Sequence, residues 1–370
     1  MSISSQSGIF GLAFQINGLK GGAAGPFYRY KTLAANIGPI LNEQMSRPEM
    51  GGNNNPTGLY LSSAGFGGSV SLQPRLEGDF GWILLAATGG AATLVDTPGA
   101  GVNRHTFSQA LAAAGGSKFL PFLQARRYIP GATPAAAVGE LGIDCILSAL
   151  SLSLAPGQPV QAELALQGRE PRLTTTGTPA SGWTWADVAE NFDSVPMPMA
   201  GTASGLTIAD LNGNNPLPLT NARVTLQNNT TSPDEEAVIN SYFAEDFTPK
   251  MRTLSFEATY KWKDAELYRY AFNGGDLTSA VINPCLSYKN TVLTVQSPCD
   301  ISDTIAYPWR LQVVAPRVRW RMAGPPQLAG DELIQMQLQG TAVEADSGDP
   351  EDYFQFILDN EQTAYAIPTA

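Results

Sequence analysis

His105 is the only histidine in the chain, so a Ser-His-Asp triad, a Cys-His pair or a multi-histidine metal site would each depend on it. It stands beside Arg104 in a Gly-rich stretch, and a histidine satisfied by its neighbours is the commoner reading of such a position. Cys145, Cys285 and Cys299 lack the paired spacing of a zinc site. Gly65-Phe66-Gly67-Gly68-Ser69 has neither the lysine of a phosphate loop nor a strand feeding it into a helix, and reads as a turn before a strand. Carboxylates cluster at Asp234-Glu235-Glu236 and again at Asp346, Asp349, Glu351 and Asp352. The second group has the flavour of a calcium loop without its ligand spacing, so both are read as solvated acidic loops. No catalytic, cofactor or metal residue is expected.

The sharpest polar pattern is Arg317, Arg319 and Arg321 on one strand face, with Val318, Trp320 and Met322 on the other. Guanidinium groups in a row suit a contact with acidic groups of another subunit. They equally suit an edge strand guarded by charge. Gln335, Gln337 and Gln339 are expected beside them in a hairpin.

The elements that position these residues are written twice. Leu150–Leu154 and Ala162–Gly168 alternate apolar and polar around a Pro/Gly turn, as do Val318–Met322 and Ile334–Gly340, and Leu166-Gln167-Gly168 lies in phase with Leu338-Gln339-Gly340. Upstream of each comes a strand and a short helix stopped by glycines: residues 68–76 then 79–87 before Gly89-Gly90, and residues 254–260 then 264–272 before Gly274-Gly275. Asp79 is placed as the first helix's N-cap. The two stops lie 185 residues apart, half of the 370-residue chain. Residues 1–60, 91–118 and 276–300 read as extended segments and long loops, and Thr/Pro/Gly-rich 176–182 as a linker. The expectation is a mainly β (α+β) chain: a first domain over 1–175 with an extended N-terminal region, and an acidic second domain over 183–370.

Only 15% of residues are charged, so much of the surface is Ser, Thr, Asn, Gln and Gly and loses little hydration when another protein covers it. Residues 1–185 carry 11 Lys and Arg against 9 Asp and Glu, and residues 186–370 carry 11 against 24. The acidic half is a poor holder of phosphates; it suits either a wall that repels DNA or plain solubility. The cysteine count suits a reducing cytoplasm, with a Cys285–Cys299 pair left open. The N-terminus lacks the basic region of a signal peptide, and no apolar run reaches the ~20 residues of a membrane span. The reading is a soluble, unexported chain.

The strand and helix from Leu72 to Gly90, the segment Arg104-His105-Thr106-Phe107, and the progression from Leu123-Gln124-Ala125-Arg126-Arg127 to Leu150-Ser151-Leu152 resemble tail tube proteins of long non-contractile bacteriophage tails. The resemblance covers most of residues 1–170 and reaches the rest through the internal repeat. It implies two tandem tail-tube-like β-sandwich or barrel domains, each with a short flanking helix and long loops. It further implies a virion protein assembled in the host cytoplasm, whose partner is itself. Three copies would form a ring of pseudo-sixfold symmetry, with hexameric rings as the alternative, and rings would stack into a tube. Tape measure and tail terminator or tip proteins follow as neighbours, and DNA would pass through without specific binding. The Arg row, an odd lining for such a lumen, is expected to face a neighbour or the exterior. A second function class stays open: a β-sandwich virion module that binds carbohydrate or a receptor. It would need an aromatic platform, for which Trp183, Trp185 and Trp309 are the candidates. A hydrolase with a Ser or carboxylate pair is disfavoured by the missing motifs and the single histidine.

Overall fold

The computed structural model describes residues 8–47, 58–110, 120–174, 180–186, 195–196, 204–263, 265–273, 281–282, 287–326, 333–344 and 353–369. The chain is mainly β. The first half contributes β1 (Ile9–Phe14), β2 (Tyr28–Tyr30), β3 (Thr32–Met45), β4 (Leu59–Leu72), β5 (Gly89–Leu94), β6 (Asn103–Gln109), β7 (Leu123–Ile129), β8 (Val138–Leu154) and β9 (Gln161–Leu173), with helix α1 (Asp79–Thr88). The second half contributes β10 (Gly205–Ile208), β11 (Leu219–Gln227), β12 (Thr253–Lys261), β13 (Lys289–Ser302), β14 (Ile305–Met322), β15 (Gln335–Ala342) and β16 (Gln355–Asn360), with helix α2 (Glu266–Phe272).

The sequence repeat becomes a topological one. In the first half the strands pair in the order β1-β7-β8-β9-β4-β3, and in the second β10-β13-β14-β15-β12-β11. α1 packs on β8 and α2 on β14, the same place in each set. The paired glycines hold the register. Gly168 lies opposite Phe66 and Gly340 opposite Phe256, and a Cβ on Gly168 would sit 2.5 Å from Cys145 Sγ. Across the hairpins Gly168 faces Cys145 and Gly340 faces Trp320. Trp320 therefore matches Cys145, and β8 runs on to Leu154 whereas β14 stops at Met322.

β9 lines one edge of β8 from Glu140 to Ser153. The other edge is shared: β7 takes Val138–Cys145 and β11 takes Ala149–Leu154. This β8–β11 ladder joins the halves into one sheet. A second junction forms where β16 pairs with both β14 and β6. One buried cluster runs through both halves, from Phe10, Phe80 and Leu152 to Leu254, Trp320 and Phe356.

Three segments differ from the sequence reading. Residues 1–60 hold β1, β2 and β3: β1 is made a strand by β7, far along the chain, and β3 by β4, the strand that follows it. Residues 91–118 contain most of the β5–β6 hairpin, whose inward positions include the polar Asn103 and His105, so the apolar alternation is hidden. Residues 276–300 include the start of β13. Asp79 is the first residue of α1, Gly78 being the cap. The expected linker is one 3-10 turn at Ala180–Gly182, with 176–179 outside the described residues. Gly274, Gly275 and Cys285 also lie outside them.

Candidate assembly surfaces

Eight strands form an unbroken antiparallel run, β3-β4-β9-β8-β11-β12-β15-β14, four from each half. Side chains alternate across a strand, so residues opposite one another line a single face. One row across this face reads Ser71, Glu163, Ser151, Thr225, Ser255, Thr341, Arg319. The next reads Gln161, Ser153, Arg223, Glu257, Gln339, Arg321. Hydroxyl and amide groups dominate, and Arg223 and Arg321 find partners within the chain. Arg223 Nη2 donates to Ser151 Oγ at 3.1 Å and approaches Glu163 Oε2 at 3.5 Å, and Arg321 Nη2 donates to Gln339 Oε1 at 3.1 Å. The opposite face carries Leu150, Leu152, Val224, Leu226, Phe256 and Leu338, all buried.

The Arg row is brought together with Gln339 but not with Gln335 and Gln337, which lie past the end of β14. Arg319 is opposite Thr341, and Ala323 donates to the carbonyl of Gln337. Arg317 lies over the Tyr288 ring at 4.8 Å and donates to the Glu344 carbonyl. Arg319 turns around the strand edge onto α2, with its guanidinium over Tyr270 at 5.6 Å and Nη2 3.5 Å from the Ala271 carbonyl. Its Nη1 is buried without a hydrogen-bond partner.

The acidic candidates are tied into their own loop, whose Tyr242 carbonyl accepts from the β4 backbone at Ala64. Asp234 accepts from Ser63 Oγ at 3.3 Å, Glu235 from Lys250 Nζ at 2.8 Å, and Glu236 from Thr248 Oγ1 at 2.8 Å. The Lys250 ammonium holds the Glu235 carboxyl below its ordinary range, and hydroxyl donors, Thr231 foremost, do the same for Glu236. Asp346, Asp349, Glu351 and Asp352 lie outside the described residues. Among the described residues no group of three or more His, Cys, Asp or Glu side chains is placed to hold a metal ion, and no helix is long and apolar enough to cross a membrane.

His105 is fully buried on β6. Asn360 uses its amide nitrogen on the carbonyl of Leu76, so its Oδ1 accepts from His105 Nε2–H at 2.9 Å. Nδ1 is then left to accept from Thr93 Oγ1 at 2.9 Å. Burial lowers the imidazole pKa, and a neutral ring with both nitrogens used has no catalytic vacancy.

Next to it is the group that sequence reasoning missed. Asp359 is wholly buried and accepts from Arg104 Nε at 2.8 Å, Arg310 Nη2 at 2.6 Å and the Tyr307 hydroxyl at 3.0 Å. Burial and the Asp359 charge push the Tyr307 hydroxyl up to about 12. This knot clamps first-half β6 to β14 and β16 of the second half. Its one sequence signal was a lone carboxylate closing the apolar run Phe354–Leu358. Of the aromatic candidates, Trp309 is buried. Trp183 and Trp185 pack over Gly139 and Gly11, with Arg126 between Trp183 and Phe27.

The family model described as phage tail tube protein matches residues 42–305, more than half of the chain. No curated protein matches it.

Proposed function

The chain belongs to the phage tail tube protein family, and from that premise we propose that it assembles into stacked rings whose lumen conducts DNA during ejection. The family is structural and its place is the phage tail. The observation that carries the ring is the eight-strand run, two four-strand sets of like topology joined edge to edge by β8 and β11. A chain that already repeats one wall segment needs three copies for six segments; six copies per ring is the alternative. A contact that closes by rotation gives a ring without free sheet edges. Residues 1–175 and 183–370, linked by 176–182, each supply one segment in this proposal.

The Ser, Thr and Gln rows supply the lumen face. DNA is held by unpaired cations that displace its counterions. In these rows Arg223 and Arg321 are already partnered and Arg319 turns over the strand edge onto α2, so few cations are offered and DNA passes without being gripped. Tape measure, terminator and tip proteins would be its neighbours, and the virion tail its destination after assembly in the host cytoplasm. Electron microscopy of the purified protein over a concentration series tests the proposal. Axial views should show rings with six density lobes from three chains; a protein that stays monomeric at every concentration would overturn it.

A further inference from the structure

The β3–β4 hairpin is longer than the sheet that supports it. β9 pairs with β4 only from Phe66 to Leu72, so residues 59–65 and the matching part of β3 run past it. Ile37 and Phe66 lie on the buried side of this pair. Alternation carries the same side on through Leu41, Glu43 and Met45, opposite Ala64, Leu61 and Leu59. In the second half this side is sealed. Pro39 lies opposite Phe66 and Val224 opposite Phe256, so Leu41 matches Leu226, which is completely buried. Leu41 itself is 60% exposed, Met45 66% and Leu59 64%. The other side of the hairpin continues the hydroxyl rows and is closed on itself. Asn42 donates to Ser63 Oγ at 2.8 Å, and the Tyr60 hydroxyl to Gln44 Oε1 at 2.9 Å. Three large apolar side chains are thus left uncovered around the single exposed charge of Glu43.

A surface of matching character opens at the other end of the strands. Between β10 and β11 lies a cleft of about 530 Å³, with Leu154, Leu206, Leu217 and Leu293 in its lining. All four are buried. Ser204 lines it too, buried and with its hydroxyl unpartnered, a donor that gains from any acceptor brought in. Lys261 is the one charged residue of the lining, and it is exposed. Among the described residues neither Lys261 nor Glu43 enters an ion pair. The ladder fixes where hairpin and cleft stand. Leu72 aligns through Ala162, Leu152 and Val224 with Phe256. Lys261 lies beyond that row on one side, and Leu59 and Met45 lie far beyond it on the other. A chain therefore cannot fill its own cleft with its own hairpin.

We propose that the cleft takes the β3–β4 hairpin of a second copy in the next ring. Met45 and Leu59 cover the leucines of the cleft, and the Glu43 carboxylate accepts from the Lys261 ammonium. The outer edge of β3, which has no strand partner among the described residues, offers Ser204 a backbone carbonyl. An apolar face with one acid thus meets an apolar cleft with one base, and the pair of charges sets the orientation. A contact between opposite ends of identical chains is head-to-tail, and one that does not close on itself repeats without limit. That is the contact a stack of rings requires. This inference rests on the stacked-ring reading and names the surfaces that hold one ring to the next.

The test is Glu43→Lys, with Lys261→Glu as its complement. Both positions are exposed, so each variant should keep the wild-type melting temperature. Glu43→Lys should stop at single rings and need at least tenfold more protein than the wild type to stack, read by electron microscopy and sedimentation. Adding Lys261→Glu should restore tubes. A second arm places Met45→Cys and Asn221→Cys in a chain whose Cys285 and Cys299 are serine, treats it with a short bis-maleimide and resolves the products on a denaturing gel. A ladder climbing past the trimer is expected from the double variant, because a contact between rings links chains without end, and only monomer from either single variant. A ladder that stops at the trimer would move the contact inside one ring and overturn this joint. So would a Glu43→Lys chain that stacks as the wild type does. Either result leaves the stacked-ring reading standing, whereas a wild-type chain that never stacks would overturn both.

Discussion

The two halves differ most where their topology is most alike. β3 and β11 occupy the same place in their sets, yet β11 is sealed by β8 and β3 is open. β9 is one strand of 13 residues, whereas on the second half the same edge of β14 is divided between β15 and β16. That division lets β16 reach the β5–β6 hairpin, which the first half inserts after α1 and for which no counterpart appears among the described residues of the second half. One repeat thus became two unequal modules, each holding the other: the first lends β6, the second lends β11. The lesson is that a duplicated unit keeps its core pairs and diverges at its edges, because edges meet different partners.

The largest effect should come from the clasp between modules. Asp359→Ala leaves Arg104 and Arg310 without their carboxylate in a buried site, and should lower stability by about 3–5 kcal/mol in thermal or denaturant unfolding. A loss below ~1 kcal/mol would mean the clasp does not hold the modules together. The sealed-against-open comparison comes next. Leu226→Ala should cost roughly 2–5 kcal/mol in the isolated chain, since it empties a closed core position. Leu41→Ala should cost within about 0.5 kcal/mol there, and show its effect only in assembly. Equal losses in the monomer would break the assignment of β3 as the open edge.

The shared core pair should respond alike in both modules. A Cβ at Gly168 meets Cys145 Sγ at 2.5 Å and one at Gly340 meets Val318 at 2.9 Å, so each Gly→Ala change should cost about 1–3 kcal/mol, Gly168 the more. The smallest effect is a pH dependence. Burial lowers the folded-state pKa of His105, so its neutral form is the one the fold accepts. Its contribution is present above the unfolded value of about 6.5 and is lost as pH falls below it. With no other histidine in the chain, His105→Gln should flatten the stability profile over that range. A wild-type profile already flat there would sink the reading of His105 as a buried neutral ring.

The hairpins, both helices and the duplication were legible because each is local: strict alternation over Ala162–Gly168 and Ile334–Gly340, and apolar helical stretches ended by glycine. The tail tube family was legible from the same strand–helix–hairpin progression. β1, β3 and β6 were not, because their strand character comes from partners outside any short window, such as Phe66 for Pro39 and Phe356 for Phe107. The Arg row was read from the sequence, but not that one nitrogen of Arg319 is buried without a hydrogen bond. Arg319 gives no sign in sequence that it folds back onto Ala271. Asp359 was passed over because one carboxylate in an apolar run names no cation.

By itself the sequence determined the period of its hairpin strands, the places of its helices and the existence of two related halves, since these follow from side-chain alternation and backbone preference within short windows. Tertiary structure alone decided which edges are filled, which charges are buried together and which leucine of an equivalent pair is left uncovered. Those outcomes depend on pairing across long chain separations, where the loop-closure cost is met only when the whole sheet forms.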